Sequence, residues 1–128
     1  MMPPSEKILV VDDEANMLAL CESVLRKEGY VVVCAASAEE ALALLEKDSV
    51  DLLIADLRLG NGETGLDVAL MLQQNLSTVI PVLILTGDPV TELALDVPTM
   101  PIKLIHKPIV TAKLREVLED LLPVRQFV

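Results

Sequence analysis

Short runs of aliphatic residues recur along the chain and alternate with segments whose apolar residues follow helical spacing. The runs lack the in-and-out alternation of a strand that faces solvent on one side, so each is expected to be buried on both faces. A parallel sheet covered by helices has this property, and the alternation therefore predicts an α/β doubly wound fold of five strands and five helices. The predicted strands are Ile8–Val11, Val31–Val33, Leu52–Ala55, Val82–Leu85 and Leu104–Ile105.

The segments between the strands carry the apolar stripes and the terminal signals of helices. Gly29 follows the first stripe and is a good helix-terminating residue. The sequence Ser37-Ala38-Glu39-Glu40 is a capping box that begins the second helix. Asp88-Pro89 begins a fourth helix of only about two turns, because Pro98 and Pro101 interrupt the residues that follow. The first, second, third and fifth helices are predicted at Asn16–Lys27, Ser37 to about Glu46, Thr64–Gln74 and Lys113–Leu122.

Polar side chains stand where four of the five predicted strands end. Asp12 and Asp13 follow the first strand, Asp56 the third, Thr86 the fourth and Lys107 the fifth. In open α/β sheets, ligands bind beyond the carboxyl ends of the strands, near the switch in winding direction. A flavodoxin-like strand order of 2-1-3-4-5 would put the first and third strands side by side there. The three carboxylates are then expected to converge.

Carboxylates this close repel one another, so either one of them binds a proton or a cation neutralises the group. Oxygen ligands from a few positions, completed by water and a phosphate group, describe a Mg²⁺ site better than a zinc or copper site. With the metal bound, a phosphoryl group could approach this acidic pocket, and Lys107 and Thr86 could contact its oxygens. Asp56 would be the nucleophile.

Composition narrows the classes of protein that remain. The chain has 128 residues, enough for one core and too few for two domains, so a single domain over 1–128 with its core at about 7–122 is predicted. Twenty acidic and ten basic residues give a net charge of −10, which repels phosphate backbones and anionic lipids. Direct nucleic-acid binding is therefore not expected. Aromatic residues make up only 2% of the chain, so the core must be aliphatic.

The chain carries no sign of export or membrane insertion. Its longest apolar stretches fall well short of the roughly 20 residues that a spanning helix needs, and its N-terminus lacks the pattern of a secretory signal. Cys21 and Cys34 lie in apolar patterns, without CxxC spacing or a nearby histidine. We interpret them as reduced core residues of a cytoplasmic protein rather than as a disulfide or a metal site.

The motifs Val10-Val11-Asp12-Asp13-Glu14, Asp56, Thr86-Gly87 and Lys107-Pro108, in this order and at successive strand ends, resemble the receiver domain of bacterial response regulators. The resemblance extends from Lys7 to about Leu122. It implies a two-component or phosphorelay protein in which Asp56 accepts a phosphoryl group. The donor would be a phosphohistidine on a sensor histidine kinase or a histidine phosphotransfer protein.

The same resemblance assigns the metal ligands and the supporting residues. Asp13 and Asp56 would hold Mg²⁺ directly, Asp12 mainly through water, and the backbone carbonyl of Arg58 would complete the protein ligands. Lys107 would pair with the phosphoryl oxygens, and Thr86 would swing toward them. The Lys107-Pro108 bond resembles the cis peptide that aims the lysine of this family into the site.

The chain departs from the family at two places. Leu104 stands three positions before the lysine, where most receivers have an aromatic residue that reports phosphorylation. Together with the proline-rich segment Pro89–Pro101, this predicts an intact phosphorylation site whose readout differs from the usual one, and a homodimer is left open. The loop Arg58–Gly65 is long and glycine-rich, with Gly60 where many members have proline, and it resembles receivers at the ends of hybrid histidine kinases.

Several other interpretations stand beside these. His106 flanks the lysine on a strand and should point away from the pocket, so we interpret it as structural. The side chain of Arg58 either shields the phosphoryl group or faces solvent. A degenerate receiver that binds partners independently of phosphorylation is the alternative function. A small aspartate-nucleophile phosphatase is a remote one, because Asp12 and Asp13 are adjacent rather than in an Asp-x-Asp pair.

Overall fold

The computed structural model describes residues 6–76, 79–87 and 101–122. Five parallel strands form one sheet in the order β2-β1-β3-β4-β5, which confirms the predicted doubly wound topology. The strands are β1 (Lys7–Val11), β2 (Val31–Ala35), β3 (Leu52–Asp56), β4 (Val82–Thr86) and β5 (Ile102–His106). The helices are α1 (Ala15–Lys27), α2 (Ala38–Leu45), α3 (Gly65–Asn75) and α4 (Thr111–Leu121), with a short 3-10 turn at Gly60–Gly62.

Here α4 is the helix predicted as the fifth along the chain. The helix predicted after Asp88-Pro89 falls in residues 88–100, which lie outside the described part. Within residues 6–76, 79–87 and 101–122, no helix is both long enough and apolar enough to cross a membrane.

Four of the five strands, β2 to β5, extend further at their carboxyl ends than the apolar runs predicted. Asp56 pairs in register with Leu85, and Thr86 pairs with His106, so both polar residues are the last residues of their strands rather than the first residues beyond them. The prediction ended the third and fourth strands at their last apolar residues, Ala55 and Leu85. The backbone ladder continues past that point because main-chain hydrogen bonds do not depend on the polarity of the side chain.

Both faces of the sheet are covered, as the continuous apolar runs predicted. Every residue of β3 and β4 is buried. In β3, Leu53 and Ala55 pack on the side of α2 and α3, while Leu52 and Ile54 pack on the side of α1 and α4. The aliphatic core is thus divided into two layers by the sheet, as expected for a buried parallel sheet.

Capping at the helix ends follows the local sequence. Gly29 adopts a φ of 93°, its N–H donates to the carbonyl of Arg26 at 3.0 Å, and the N–H of Tyr30 donates to Leu25 at 3.2 Å. This pair of bonds is a Schellman ending of α1. At α2, the predicted Ser37 cap accepts a hydrogen bond from the N–H of Glu40 at 3.2 Å.

At α3, where the sequence analysis did not single out a capping box, both hydrogen bonds of such a box are present. The hydroxyl of Thr64 accepts from the N–H of Asp67 at 3.1 Å, and the Asp67 carboxylate accepts from the N–H of Thr64 at 3.0 Å. The two cysteines are free thiols: Cys21 is buried in the core layer on the side of α1 and α4, and Cys34 is half-buried against that layer.

Candidate functional site

Three polar side chains are buried among the described residues, and all three lie at the carboxyl edge of the sheet. Asp12 is 2% exposed, Asp56 8% and Thr86 1%. Val11 pairs in register with Ala55, so the residues that follow, Asp12 and Asp56, lie side by side at the carboxyl ends of β1 and β3. Burying polar groups in an otherwise aliphatic core is costly unless they are paired or functional. This edge is therefore the candidate site.

Both oxygens of the Asp56 carboxylate have a donor. The ammonium of Lys107 donates to Oδ2 at 2.8 Å, and the backbone N–H of Arg58 donates to Oδ1 at 3.2 Å. The N–H of Lys107 itself donates to the carbonyl of Thr86 at 2.7 Å, and the Lys107-Pro108 bond is cis, as the resemblance implied. The main chain thus joins the end of β4 to the lysine that contacts Asp56.

Asp12 is held by its own turn. Its Oδ1 accepts from the N–H of Glu14 at 2.9 Å, and its N–H donates to the carbonyl of Ala35 at 3.1 Å. Burial raises the pKa of the Asp12 carboxyl, and the negative charges of Asp56 and Asp13 raise it further, against the opposing effects of the Glu14 hydrogen bond and of Lys107. The negative charges of neighbouring carboxylates thus act on Asp12, which follows β1 next to the end of β3 that carries Asp56.

Lys107 carries a positive charge at neutral pH. Burial by itself lowers its pKa, but the hydrogen bond to Asp56 and the charges of Asp56, Asp12 and Glu14 outweigh burial and raise the pKa above its ordinary value. The Lys107 ammonium contacts the Asp56 carboxylate and also interacts with the charge of Asp12, which in turn is affected by the charge of Asp13. The site therefore has an excess of negative charge, which a bound cation would reduce.

The donor set fits Mg²⁺. Within the described residues, no group of three His, Cys, Asp or Glu side chains is placed to enclose a metal ion. Mg²⁺ is commonly bound by only one or two carboxylates together with waters and phosphate oxygens, so a site of this kind does not need such a group. Asp13, unlike its neighbour Asp12, is exposed and has its carboxylate next to Gly60 of the β3–α3 loop.

Gly65, at the start of α3, contributes to the site and was missed by the sequence analysis. A Cβ on this residue would lie 2.4 Å from the carbonyl oxygen of Asp56 and 3.1 Å from Cδ1 of Ile84. The N–H of Gly65 also donates to the carbonyl of Leu57 at 3.0 Å. Only glycine allows α3 to pack this closely on the backbone that carries Asp56. The available signal was a glycine at the first position of a helix that Thr64 caps.

The remaining predicted residues lie around this centre. His106 is exposed at the end of β5, in register with Thr86, and Arg58 is exposed beyond β3. Leu104 is half-buried and packs with the core layer on the side of α2 and α3. Asp88 lies outside the described residues.

Residues 8–119 match the response regulator receiver domain family. The chain belongs to this family. It is a signalling module of the two-component type, not an enzyme that turns over external substrates. The regulatory protein VanR of Enterococcus faecium is 34% identical over 122 residues, which cover 87% of this chain and 51% of that protein. The transcriptional regulatory protein CpxR of Escherichia coli is 40% identical over 81 residues, which cover 63% of this chain and 33% of that protein.

The fold is shared with solved receiver structures. The N-terminal domain of a response regulator/sensory box/GGDEF protein from Carboxydothermus hydrogenoformans has a TM-score of 0.80 at 26% identity, covering 93% of this chain and 95% of that one. The response regulator TrrA of Thermotoga maritima, in complex with Mg²⁺ and BeF, has a TM-score of 0.77 at 30% identity, covering 91% and 99%. The chain spans about a third to a half of the length of the two curated relatives named above.

Proposed function

We propose that this chain accepts a phosphoryl group on Asp56 from a phosphohistidine donor, in a reaction that depends on Mg²⁺. The observation that carries the proposal is the buried Asp56 carboxylate, held by the Lys107 ammonium at 2.8 Å beside a second buried carboxylate, Asp12. In the reaction, a carboxylate oxygen of Asp56 attacks phosphorus and the P–N bond to the donor histidine breaks. The imidazole leaves with the bonding electron pair and takes a proton from water.

Two side chains, those of Lys107 and Thr86, would stabilise the transferred phosphoryl group. The ammonium of Lys107 keeps its charge because its pKa is raised, and it lies where negative charge develops on the phosphoryl oxygens. Thr86 ends the adjacent strand, and its hydroxyl is the donor that we assign to a phosphoryl oxygen. The carbonyl of Thr86 accepts a hydrogen bond from the N–H of Lys107, so a displacement of either residue should also displace the other.

We assign the metal to Asp13 and Asp56 as direct ligands, to Asp12 mainly through water, and to the backbone carbonyl of Arg58. The excess of carboxylates over ammonium groups in the site supports this assignment, since the phosphoryl group brings further negative charge. Bound Mg²⁺ would supply the charge neutralisation that lets the anionic donor approach.

The test is intact-mass measurement after incubation with a small acyl phosphate and Mg²⁺. We expect a gain of one phosphoryl group, which disappears in Asp56→Asn and persists in Asp120→Asn, a variant of an exposed carboxylate on α4. A failure to gain mass from small acyl phosphates and from phosphohistidine proteins alike would refute the proposal. If partner affinity is also unchanged by a beryllium fluoride mimic, the chain is a phosphorylation-independent binding module.

The proposed donor is a sensor histidine kinase or a histidine phosphotransfer protein, and the proposed location is the cytoplasm. Cys21 and Cys34 are free thiols, the form that reducing compartments maintain. The net charge of −10 argues against direct contact of this chain with nucleic acid. Any such contact made by the curated regulators belongs to those longer proteins.

A further inference from the structure

The β3–α3 loop places its backbone against the carboxylate of Asp13. A Cβ on Gly60 would lie 2.9 Å from Oδ2 of Asp13 and 3.8 Å from its Cγ. Cβ atoms essentially never come within 3.0 Å of another heavy atom. The carboxylate of Asp13 therefore occupies the space that any side chain at residue 60 would fill.

The loop is held in place from both ends. Arg58 and Thr64 form an antiparallel bridge, and the N–H of Leu59 donates to the carbonyl of Glu63 at 2.9 Å. Beyond the bridge, the capping box fixes Thr64 to α3. The backbone at Gly60 consequently has a defined position relative to β3, and so relative to Asp56.

We propose that Gly60 is a positioning residue for Asp13. Because it has no side chain, it leaves free the space that the Asp13 carboxylate occupies, so that Asp13 can keep the orientation from which it would bind Mg²⁺. This inference rests on the proposed function, since it takes Asp13 as a metal ligand. It also gives a physical reason for a glycine at a position where many members of the family have proline.

A side chain at residue 60 should move Asp13 without unfolding the chain. The clashing atom is the far end of an exposed side chain, which can turn away at little cost. The backbone of Gly60 does not need glycine either, because its φ is outside the left-handed region, unlike that of Gly62. The effect of Gly60→Ala should therefore fall on the metal site rather than on the fold.

The test compares Mg²⁺ affinity, by isothermal titration calorimetry, with stability, by urea unfolding. We expect Gly60→Ala to bind Mg²⁺ about tenfold more weakly, which is the smallest change typical of residues that orient metal ligands. Its urea midpoint should be unchanged. Gly62→Ala is the matched control in the same loop. Gly62 has a φ of 78° and nothing within 4 Å of its Cβ position, so the control should lose stability and keep its Mg²⁺ affinity.

A double-mutant comparison shows whether the effect passes through Asp13. Asp13→Asn should itself weaken Mg²⁺ binding, and adding Gly60→Ala to that variant should not weaken it further. An equal loss in both backgrounds would overturn the inference, and so would unchanged or tighter binding in the single variant. If the unmodified chain binds no Mg²⁺, the proposed metal site itself fails, and the two failures are thereby distinguished.

Discussion

The contact between Lys107 and Asp56 offers a quantitative test of the site in the absence of any ligand. The two side chains are 23% and 11% exposed and their charged atoms are 2.8 Å apart. Exposed ion pairs contribute about 0.2–1 kcal/mol, whereas removing one partner of a fully buried pair costs about 3–5 kcal/mol. A pair of intermediate burial should therefore have a coupling energy of about 2 kcal/mol.

The coupling is obtained from Lys107→Met, Asp56→Asn and the double variant, because these changes keep the approximate shape of each side chain while removing its charge. Lys107→Met leaves the Asp56 carboxylate buried beside Asp12 with no ammonium group, so it should lower the free energy of unfolding by about 2 kcal/mol. In the Asp56→Asn background the same change should cost close to zero, so the difference between the two backgrounds is the coupling energy of about 2 kcal/mol.

Urea unfolding followed by far-UV circular dichroism is the suitable assay, since the chain has no tryptophan. The pair Arg26–Glu22 on α1 is the control, because its atoms are 3.0 Å apart but its side chains are 57% and 41% exposed. That pair should give about 0.3–0.5 kcal/mol and weaken in salt. If the coupling between Lys107 and Asp56 is as small and as sensitive to salt as this control, the argument from burial is refuted.

Three further predictions concern the surroundings of this pair. Asp12→Asn should raise stability at pH 7 by about 1 kcal/mol, because Asn can still accept from the N–H of Glu14 while a repelled, buried charge is removed. The pKa of Asp12 is raised in the folded chain, so the extra stability of Asp12→Asn should shrink as the pH falls through that pKa. Urea titrations at several pH values measure this, and an extra stability that stays constant down to pH 3 would contradict it. Burial raises the pKa of the Cys21 thiol from 9.0 to about 11, so the free energy of unfolding should fall by about 2 kcal/mol as the pH rises over that interval. Cys21→Ala should not show this loss of stability, and equal pH profiles of the two chains would exclude the contribution. Gly65→Ala should cost about 2 kcal/mol by overpacking and slow phosphoryl uptake by displacing the Asp56 backbone, whereas unfolding and uptake like those of the unchanged chain would show that α3 can shift freely.

The elements that could be predicted are those whose signal is local. Burial on both faces makes the strands β3 and β4 continuous apolar runs, and helical spacing, Gly29 and Ser37 mark the ends of α1 and α2. Their bounds differ from the prediction by one residue; for β4 the reason is that the ladder extending it to Thr86 depends on its partner β5. That partner is distant in sequence.

The candidate site was predicted as a set of residues, because strand ends of a parallel sheet meet at one edge whatever the details of packing. Asp12, Asp56, Thr86 and Lys107 could be named for that reason. The sequence did not reveal which contacts they make. That Oδ2 of Asp56 meets Lys107 while Oδ1 meets the N–H of Arg58 follows from the turn after β3 and from the position of β5.

By itself, the sequence determined the fold class, the strand order compatible with it and the set of polar residues at one edge of the sheet. The reason is that hydrophobic periodicity and the order of polar residues can be read directly along the chain. Only the tertiary structure decided the close approaches. Gly65 lies against the carbonyl of Asp56, and Gly60 lies against the carboxylate of Asp13, which is 47 positions earlier in the chain. Such contacts depend on how a loop and a helix settle on a finished sheet, and no local pattern of residues encodes that distance.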